Sequence, residues 1–261
     1  MEKGLVIYLL VCCATMVTAV DWRVQRLNQF QQKFNNSQSD MIFLIDVSGS
    51  VSDSGFSTEK EFVTSLLSRI SVQAIATRVS VITFGYRVER NIDYVNYMST
   101  NRLRADINKC SFIKEFARVG HRKGGATNMN GAFKKARDIL NGAKSNNIKR
   151  SNVNTVIVLL TDGYWNQGGN PAPVAADLRD RSKYDVEIFS IGIGYHLANT
   201  LRHVSGNSQN VITAKNFADF GGLATRIRGG LSIALFLFIF LLSVLFSLIG
   251  LFFTCKFLFY H

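Results

Sequence analysis

Cysteine is scarce in this chain of 261 residues, which contains four. Cys12 and Cys13 fall within a predicted signal sequence, and Cys255 lies beside a long apolar run near the carboxyl terminus. Cys110 is therefore the one cysteine expected in the extracellular part, where an internal disulfide cannot form. This excludes a small disulfide-stapled scaffold and leaves Cys110 as either a buried free thiol or a bridge between chains.

Acidic residues are also few, with 18 Asp and Glu against 30 Lys and Arg, a net charge of +12. Much of the basic excess lies in residues 114–123 and 134–150. This pattern favours either solvated helical faces or a surface that attracts acidic ligands, glycosaminoglycan or anionic lipid. Nucleic acid is not an expected partner, because the amino terminus resembles a secretory signal.

Charge is absent from residues 231–253, which would form about 34 Å of helix and cross a bilayer. With a signal sequence cleaved after Ala19, this predicts a single-pass type I protein of the plasma membrane whose domain is extracellular. A glycosyl-phosphatidylinositol anchor is the alternative. Cys255 is a candidate palmitoylation site, or otherwise an ordinary membrane-buried thiol.

The sequence divides into five parts on this basis. Residues 1–19 form the signal peptide, 20–40 a polar segment, 41–228 the main domain, 231–253 the transmembrane helix and 254–261 a short cytoplasmic tail. The polar segment contains one glycosylation sequon, at Asn35.

Alternating apolar runs and amphipathic stretches predict the fold of the main domain. Strands are expected at 41–47, 78–84, 87–94, 153–161, 186–191 and 210–213. Helices are expected between most of them, including one near 101–108, and the spacing of Val24, Leu27 and Phe34 allows a short helix in the polar segment. This alternation predicts an α/β fold, a doubly wound and mostly parallel sheet with helices on both faces. Ligands of such sheets bind outside the carboxyl ends of the strands.

Oxygen-bearing side chains occur at those strand ends in three separate segments. The candidate metal ligands are Asp46, Ser48, Ser50, Thr127 and Asp162. Oxygen ligands suit Mg²⁺ or Mn²⁺ and disfavour zinc or copper. Because two of the five are carboxylates, a bound cation would favour one further carboxylate, supplied by a partner. Arg122 and Lys123 precede the segment that contains Thr127 and are candidate ligand-steering residues.

An enzymatic interpretation is disfavoured at the same position. A phosphoryl-transfer site of the phospho-aspartate type needs a second Asp two residues after the first, and Ser48 stands there. We therefore expect a protein that is not an enzyme.

Four segments support a family resemblance: residues 77–84 (TRVSVITF), 124–127 (GGAT), 161–164 (TDGY) and 186–190 (VEIFS). From about Ser39 to Ile227 the chain resembles a von Willebrand factor type A domain with a metal-ion-dependent adhesion site. The likeness is nearest to the A domain that accompanies sushi, EGF and pentraxin modules, and weaker to those of cochlin, matrilin and integrins. The resemblance implies a Rossmann-like fold in which the five candidate residues bind the metal directly or through water.

Two hypotheses of function follow. In the first, the chain is a cell-surface adhesion or receptor module whose metal binds an Asp or Glu of a matrix or cell-surface protein. In the second, it binds glycosaminoglycan or proteoglycan through its basic face, and the metal is structural.

Overall fold

The computed structural model describes residues 21–35, 37–94, 109–121 and 125–229. The predicted signal peptide, membrane span and tail, together with Arg122, Lys123 and Cys255, lie outside the described residues. The side chain of Cys110 lies outside them too. Within the described ranges, none of the helices has the length and apolar character needed to cross a membrane.

Six strands and seven α-helices are described in this part of the chain. The strands are β1 (Ser39–Asp46), β2 (Thr77–Phe84), β3 (Val88–Ile92), β4 (Asn154–Thr161), β5 (Val186–Ile193) and β6 (Val211–Ala214). The helices are α1 (Trp22–Asn35), α2 (Asp53–Leu66), α3 (Lys109–Arg118), α4 (Met129–Ser145), α5 (Ala172–Arg179), α6 (Ala198–Ser205) and α7 (Phe217–Gly229).

The strands form one sheet in the order β3-β2-β1-β4-β5-β6. All neighbours are parallel except β3, which is antiparallel to β2. All eight residues of β1 are buried, as expected for a central strand covered on both faces. The chain leaves β1 toward β2 on one side and later returns to β4 on the other. The strand order therefore reverses at β1 and β4, where α/β sheets bind ligands.

Helices cover both faces of the sheet, confirming the predicted α/β class with a mostly parallel sheet. Alternate residues of β1 supply the two cores, because successive side chains point to opposite faces. Phe43 and Ile45 pack with α1, α2, α3 and α7, whereas Ile42 and Leu44 pack with α4, α5 and α6.

Two helices extend the sequence-based expectation. The helix-like spacing of Val24, Leu27 and Phe34 allowed a short helix in the polar segment, and the structure has α1 there, with Leu27, Phe30 and Phe34 buried in the first core. Helix α3 was not predicted, and the helix expected near 101–108 lies outside the described residues. Phe112 and Phe116, one helical turn apart, stack with ring centroids 5.5 Å apart and join the same core. Both helices form because tertiary packing buries their apolar faces.

Candidate metal site

Asp46 ends β1 and lies at the centre of the candidate site, with no solvent exposure. The backbone N–H of Ser48 donates to its Oδ1 at 2.9 Å, and the hydroxyl of Thr161 donates to its Oδ2 at 2.6 Å. Thr161 ends the neighbouring parallel strand β4, so strand pairing itself places this hydroxyl beside the carboxylate. Asp46 is therefore fixed in orientation by two donors from two chain segments.

Hydrogen bonds connect the loops that follow β1 and β4. The hydroxyl of Ser50 donates to Oδ1 of Asp162 at 2.8 Å, and the hydroxyls of Ser48 and Ser50 are 3.1 Å apart. Four of the five candidate residues thus belong, together with Thr161, to one connected network of hydrogen bonds.

Thr127 reaches the site from the loop before α4. Its N–H donates to Oδ1 of Asn166 at 2.8 Å, and the N–H of Asn166 donates back to its carbonyl at 3.2 Å. A β-carbon at Gly163 would lie 3.8 Å from the Thr127 hydroxyl and 3.9 Å from the Ser50 hydroxyl. The absent side chain of Gly163 therefore leaves a small cradle flanked by these hydroxyls.

Backbone contacts fix the Thr127 loop against its neighbours. The N–H of Asn128 donates to the carbonyl of Gly85 at 3.1 Å, and its side chain caps α4 by accepting from Gly131. Gly168 has φ +78°, and a β-carbon there would lie 2.0 Å from Oδ1 of Asn128. This turn requires glycine for both reasons.

The electrostatics of the site favour a cation. The pKa of Asp46 is raised to about 6, because burial, together with the nearby charge of Asp162, outweighs the hydrogen bonds from Thr161 and Ser48 that lower it. A bound divalent cation would stabilise the ionised form that burial disfavours. The donor set consists of carboxylate and hydroxyl oxygens, which fits a hard divalent cation. Within the described residues, no three His, Cys, Asp or Glu side chains cluster closely enough to bind a metal alone. The hydroxyls are therefore essential to such a site.

Two residues beside the site were missed by sequence reasoning. Nδ1 of His121 lies 2.6 Å from Oδ1 of Asp53, and its ring stacks on Phe56 with centroids 5.2 Å apart. No local pattern pairs residues 68 positions apart. Glu59 is completely buried in α2, and its helical spacing from Phe56 and Val63 could have placed it on the core face.

The sequence of the domain matches a known domain family. Residues 40–226 match the model of the von Willebrand factor type A domain. Over 207 residues, or 78% of this chain, it is 36% identical to the rat sushi, von Willebrand factor type A, EGF and pentraxin domain-containing protein 1. It is 26% identical to mouse matrilin-2 over 198 residues, 75% of this chain and 19% of matrilin-2. The chain spans about 5% of the length of the rat protein, so the likeness concerns one domain of it.

Solved structures share the fold at lower identity. Proximal thread matrix protein 1 of the mussel byssus, with a zinc-occupied MIDAS motif, has a TM-score of 0.62 and 21% identity. That match covers 74% of this chain and 47% of the mussel chain. Manganese-loaded TRAP protein of Plasmodium vivax has a TM-score of 0.54 and 20% identity, over 74% of each chain.

Proposed function

Because the chain belongs to the von Willebrand factor type A domain family, we propose that it is a cell-surface adhesion or receptor module. A divalent cation joins its site to an acidic side chain of a protein ligand. The observation that carries this proposal is the convergence of three loops around the buried Asp46, with hydroxyls of Ser50 and Thr127 flanking Gly163.

The residues proposed to hold the cation directly or through water are Asp46, Ser48, Ser50, Thr127 and Asp162. Mg²⁺ or Mn²⁺ is the proposed cation, because hard divalent ions prefer oxygen ligands. A divalent cation at this place is supported by the zinc and manganese named for the mussel and Plasmodium proteins. When bound, the cation supplies positive charge that the two carboxylates and three neutral hydroxyls do not fully screen. An acidic side chain of a ligand can therefore bind it. Arg122 and Lys123 are proposed to steer that ligand toward it.

No enzymatic activity is proposed for the site. Phosphoryl transfer of the phospho-aspartate type needs a second carboxylate at position 48. Ser48 stands there instead, and its hydroxyl forms a hydrogen bond with the hydroxyl of Ser50. The proposed partners are matrix or cell-surface proteins that present Asp or Glu, in keeping with the names of the matrilin and collagen VI relatives.

The proposed location is the plasma membrane, with the domain outside, residues 231–253 spanning the bilayer and a glycan on Asn35. Asn35 is the last residue of α1 and is exposed, as a glycan acceptor must be. We expect the protein to remain with membranes after treatment with a phosphatidylinositol-specific phospholipase, because a helix has no cleavable lipid. Its release into the supernatant would favour the lipid-anchored alternative.

A second candidate function, glycosaminoglycan binding, is favoured by a cleft at the opposite end of the sheet. This cleft of about 720 Å³ lies at the amino ends of β1 and β4 and has both basic and acidic residues in its lining: Lys144, Lys149, Arg150 and Lys183, and Asp40, Asp177 and Asp185. Lys144 and Lys149 are exposed and form no salt bridge with other described residues. Within the part of the chain that the structure describes, the buried hydroxyl of Tyr94 and Nε of Arg150 have no hydrogen-bond partner. Such a cleft suits sulfate or carboxylate groups of an acidic polysaccharide.

One binding assay distinguishes the two functions. The full-length chain is screened against matrix and cell-surface proteins and against heparin, in EDTA and in raised salt. Metal-dependent recognition predicts that EDTA abolishes binding and that Mn²⁺ restores it, whereas polysaccharide binding is lost mainly in salt. Charge reversal of both Lys144 and Lys149 should weaken only the salt-sensitive binding. Binding of protein ligands that is unaffected by EDTA would contradict the adhesion proposal.

A further inference from the structure

Glu59 is an acidic residue in a position normally reserved for apolar side chains. It lies two turns into α2, on the face that buries Phe56, Val63 and Leu66. Its exposed fraction is 0%, and neither oxygen of its carboxyl group has a hydrogen-bond partner among the described residues. Buried polar groups are nearly always paired, so this carboxyl group requires an explanation.

The surroundings of Glu59 make an ion-pair role implausible. Burial raises its pKa well above the ordinary value, and the negative charges of Asp46 and Asp162 raise it further. No basic side chain among the described residues opposes that increase. Without a cation, the group is therefore unfavourable for the fold.

The carboxyl group is nevertheless placed on the side of α2 that faces the proposed site. Phe56 and Val63, which flank Glu59 on this face, pack in one core with Val47 and Leu160, the chain neighbours of Asp46 and Thr161. The charges of Asp46 and Asp162 act on the carboxyl group, yet the three do not form a cluster close enough to bind a metal directly. Mg²⁺ keeps several water molecules when protein ligands are few. Carboxylates in the outer shell of metal sites accept hydrogen bonds from such ligands and strengthen metal binding.

We propose that Glu59 is an outer-shell carboxylate of the metal site and accepts hydrogen bonds from metal-bound water. This inference rests on the proposed metal-dependent function. In this arrangement Glu59 supplies a third negative charge near the cation without occupying a coordination position. It therefore increases the affinity for the cation while leaving the ligand's coordination position open.

Two substitutions and one control test the role of Glu59 in the full-length chain. Glu59→Gln retains the shape and removes the charge, and Glu59→Met removes the polar group. Glu61→Gln, on the same helix but exposed and paired with Arg228, is the matched control. The affinity for Mn²⁺ is measured by calorimetry, and the melting temperature is measured with and without Mn²⁺.

The proposal predicts opposite effects on the metal-free and metal-bound protein. Both Glu59 variants should bind Mn²⁺ about 10- to 100-fold more weakly than the unaltered chain, and Glu61→Gln should bind equally well. Metal-free Glu59→Met should melt at the same temperature or higher, because a buried unpaired acid has been removed. The increase in melting temperature on adding Mn²⁺ should become smaller in both Glu59 variants.

Three results would overturn the inference in distinguishable ways. Unchanged Mn²⁺ affinity in both Glu59 variants would show that the residue has no part in the site, while the proposed metal-dependent function stands. A lower melting temperature of the metal-free variants with an unchanged Mn²⁺ increment would assign Glu59 a purely structural role. Failure of the unaltered chain to bind Mn²⁺ would instead reject the proposed function and this inference together.

Discussion

Asp46→Asn is expected to abolish metal-dependent ligand binding while the domain remains folded. The substitution preserves the shape and one oxygen that can accept from Ser48 or Thr161, but removes the charge that a cation requires. Loss of a single outer-shell partner commonly weakens metal binding 10- to 100-fold, so loss of the central carboxylate, which holds the cation directly or through water, should weaken it by about 100-fold or more. Calorimetry with Mn²⁺ measures the metal affinity, and surface-immobilised ligand measures the binding.

The fold of this variant should survive because Asp46 is costly without metal. Burial raises its pKa to about 6, which shows that the ionised group is disfavoured in the metal-free protein. A neutral amide avoids this penalty, so metal-free Asp46→Asn should melt no lower than the unaltered chain. Asp138→Asn, an exposed position with a side chain 56% accessible, is the matched control and should bind both metal and ligand normally. Full ligand binding by Asp46→Asn in EDTA would reject the role of the site.

Sequence patterns predicted the sheet well because its strands are nearly continuous apolar runs. Residues 153–161 were expected to form a strand and β4 is Asn154–Thr161, while 186–191 corresponds to Val186–Ile193. Parallel strands bring their carboxyl ends to one edge, so the approach of Asp46 to Asp162 followed from topology alone. The pattern of apolar residues predicts strand positions because buried side chains recur with the period of the backbone conformation.

Other features depend on distant partners and left no comparable pattern. Helix α3 was missed although Phe112, Ile113 and Phe116 share one helical face, because its apolar positions are few and charged residues lie between them. The contact between His121 and Asp53 joins segments that only the folded chain brings together. Glu59 and Arg78 are charged residues in the core, which composition rules assign to the surface unless their partners are known.

Arg78 is a core residue whose role depends on partners that are distant in the sequence. It belongs to β2, its side chain is 1% exposed, and its Nε donates to Oδ1 of Asp40 at 2.6 Å. Its Nη1 donates to the carbonyl of Ile148 at 2.9 Å, and the guanidinium lies 4.5 Å from the ring centroid of Tyr94. Arg150 also contacts Asp40, with Nη2 at 2.7 Å from Oδ1. The amino ends of β1 and β2 are thus joined by one buried carboxylate with two arginines.

Arg78→Met is expected to destabilise the domain more than any surface substitution, by about 3 kcal/mol. Removing one partner of a buried ion pair typically costs about 3–5 kcal/mol, and the retained Arg150 places this case near the lower limit. For a domain of this size the melting temperature should fall by roughly 6–12 °C. Arg78→Lys should lose less stability, because it retains the charge but not the bidentate contact with Asp40.

Arg87→Met, which replaces an exposed arginine in the turn between β2 and β3, is the control and should change stability by less than about 0.5 kcal/mol. Chemical denaturation of the three variants measures these differences, and a loss below about 1 kcal/mol for Arg78→Met would show that Arg150 alone neutralises Asp40.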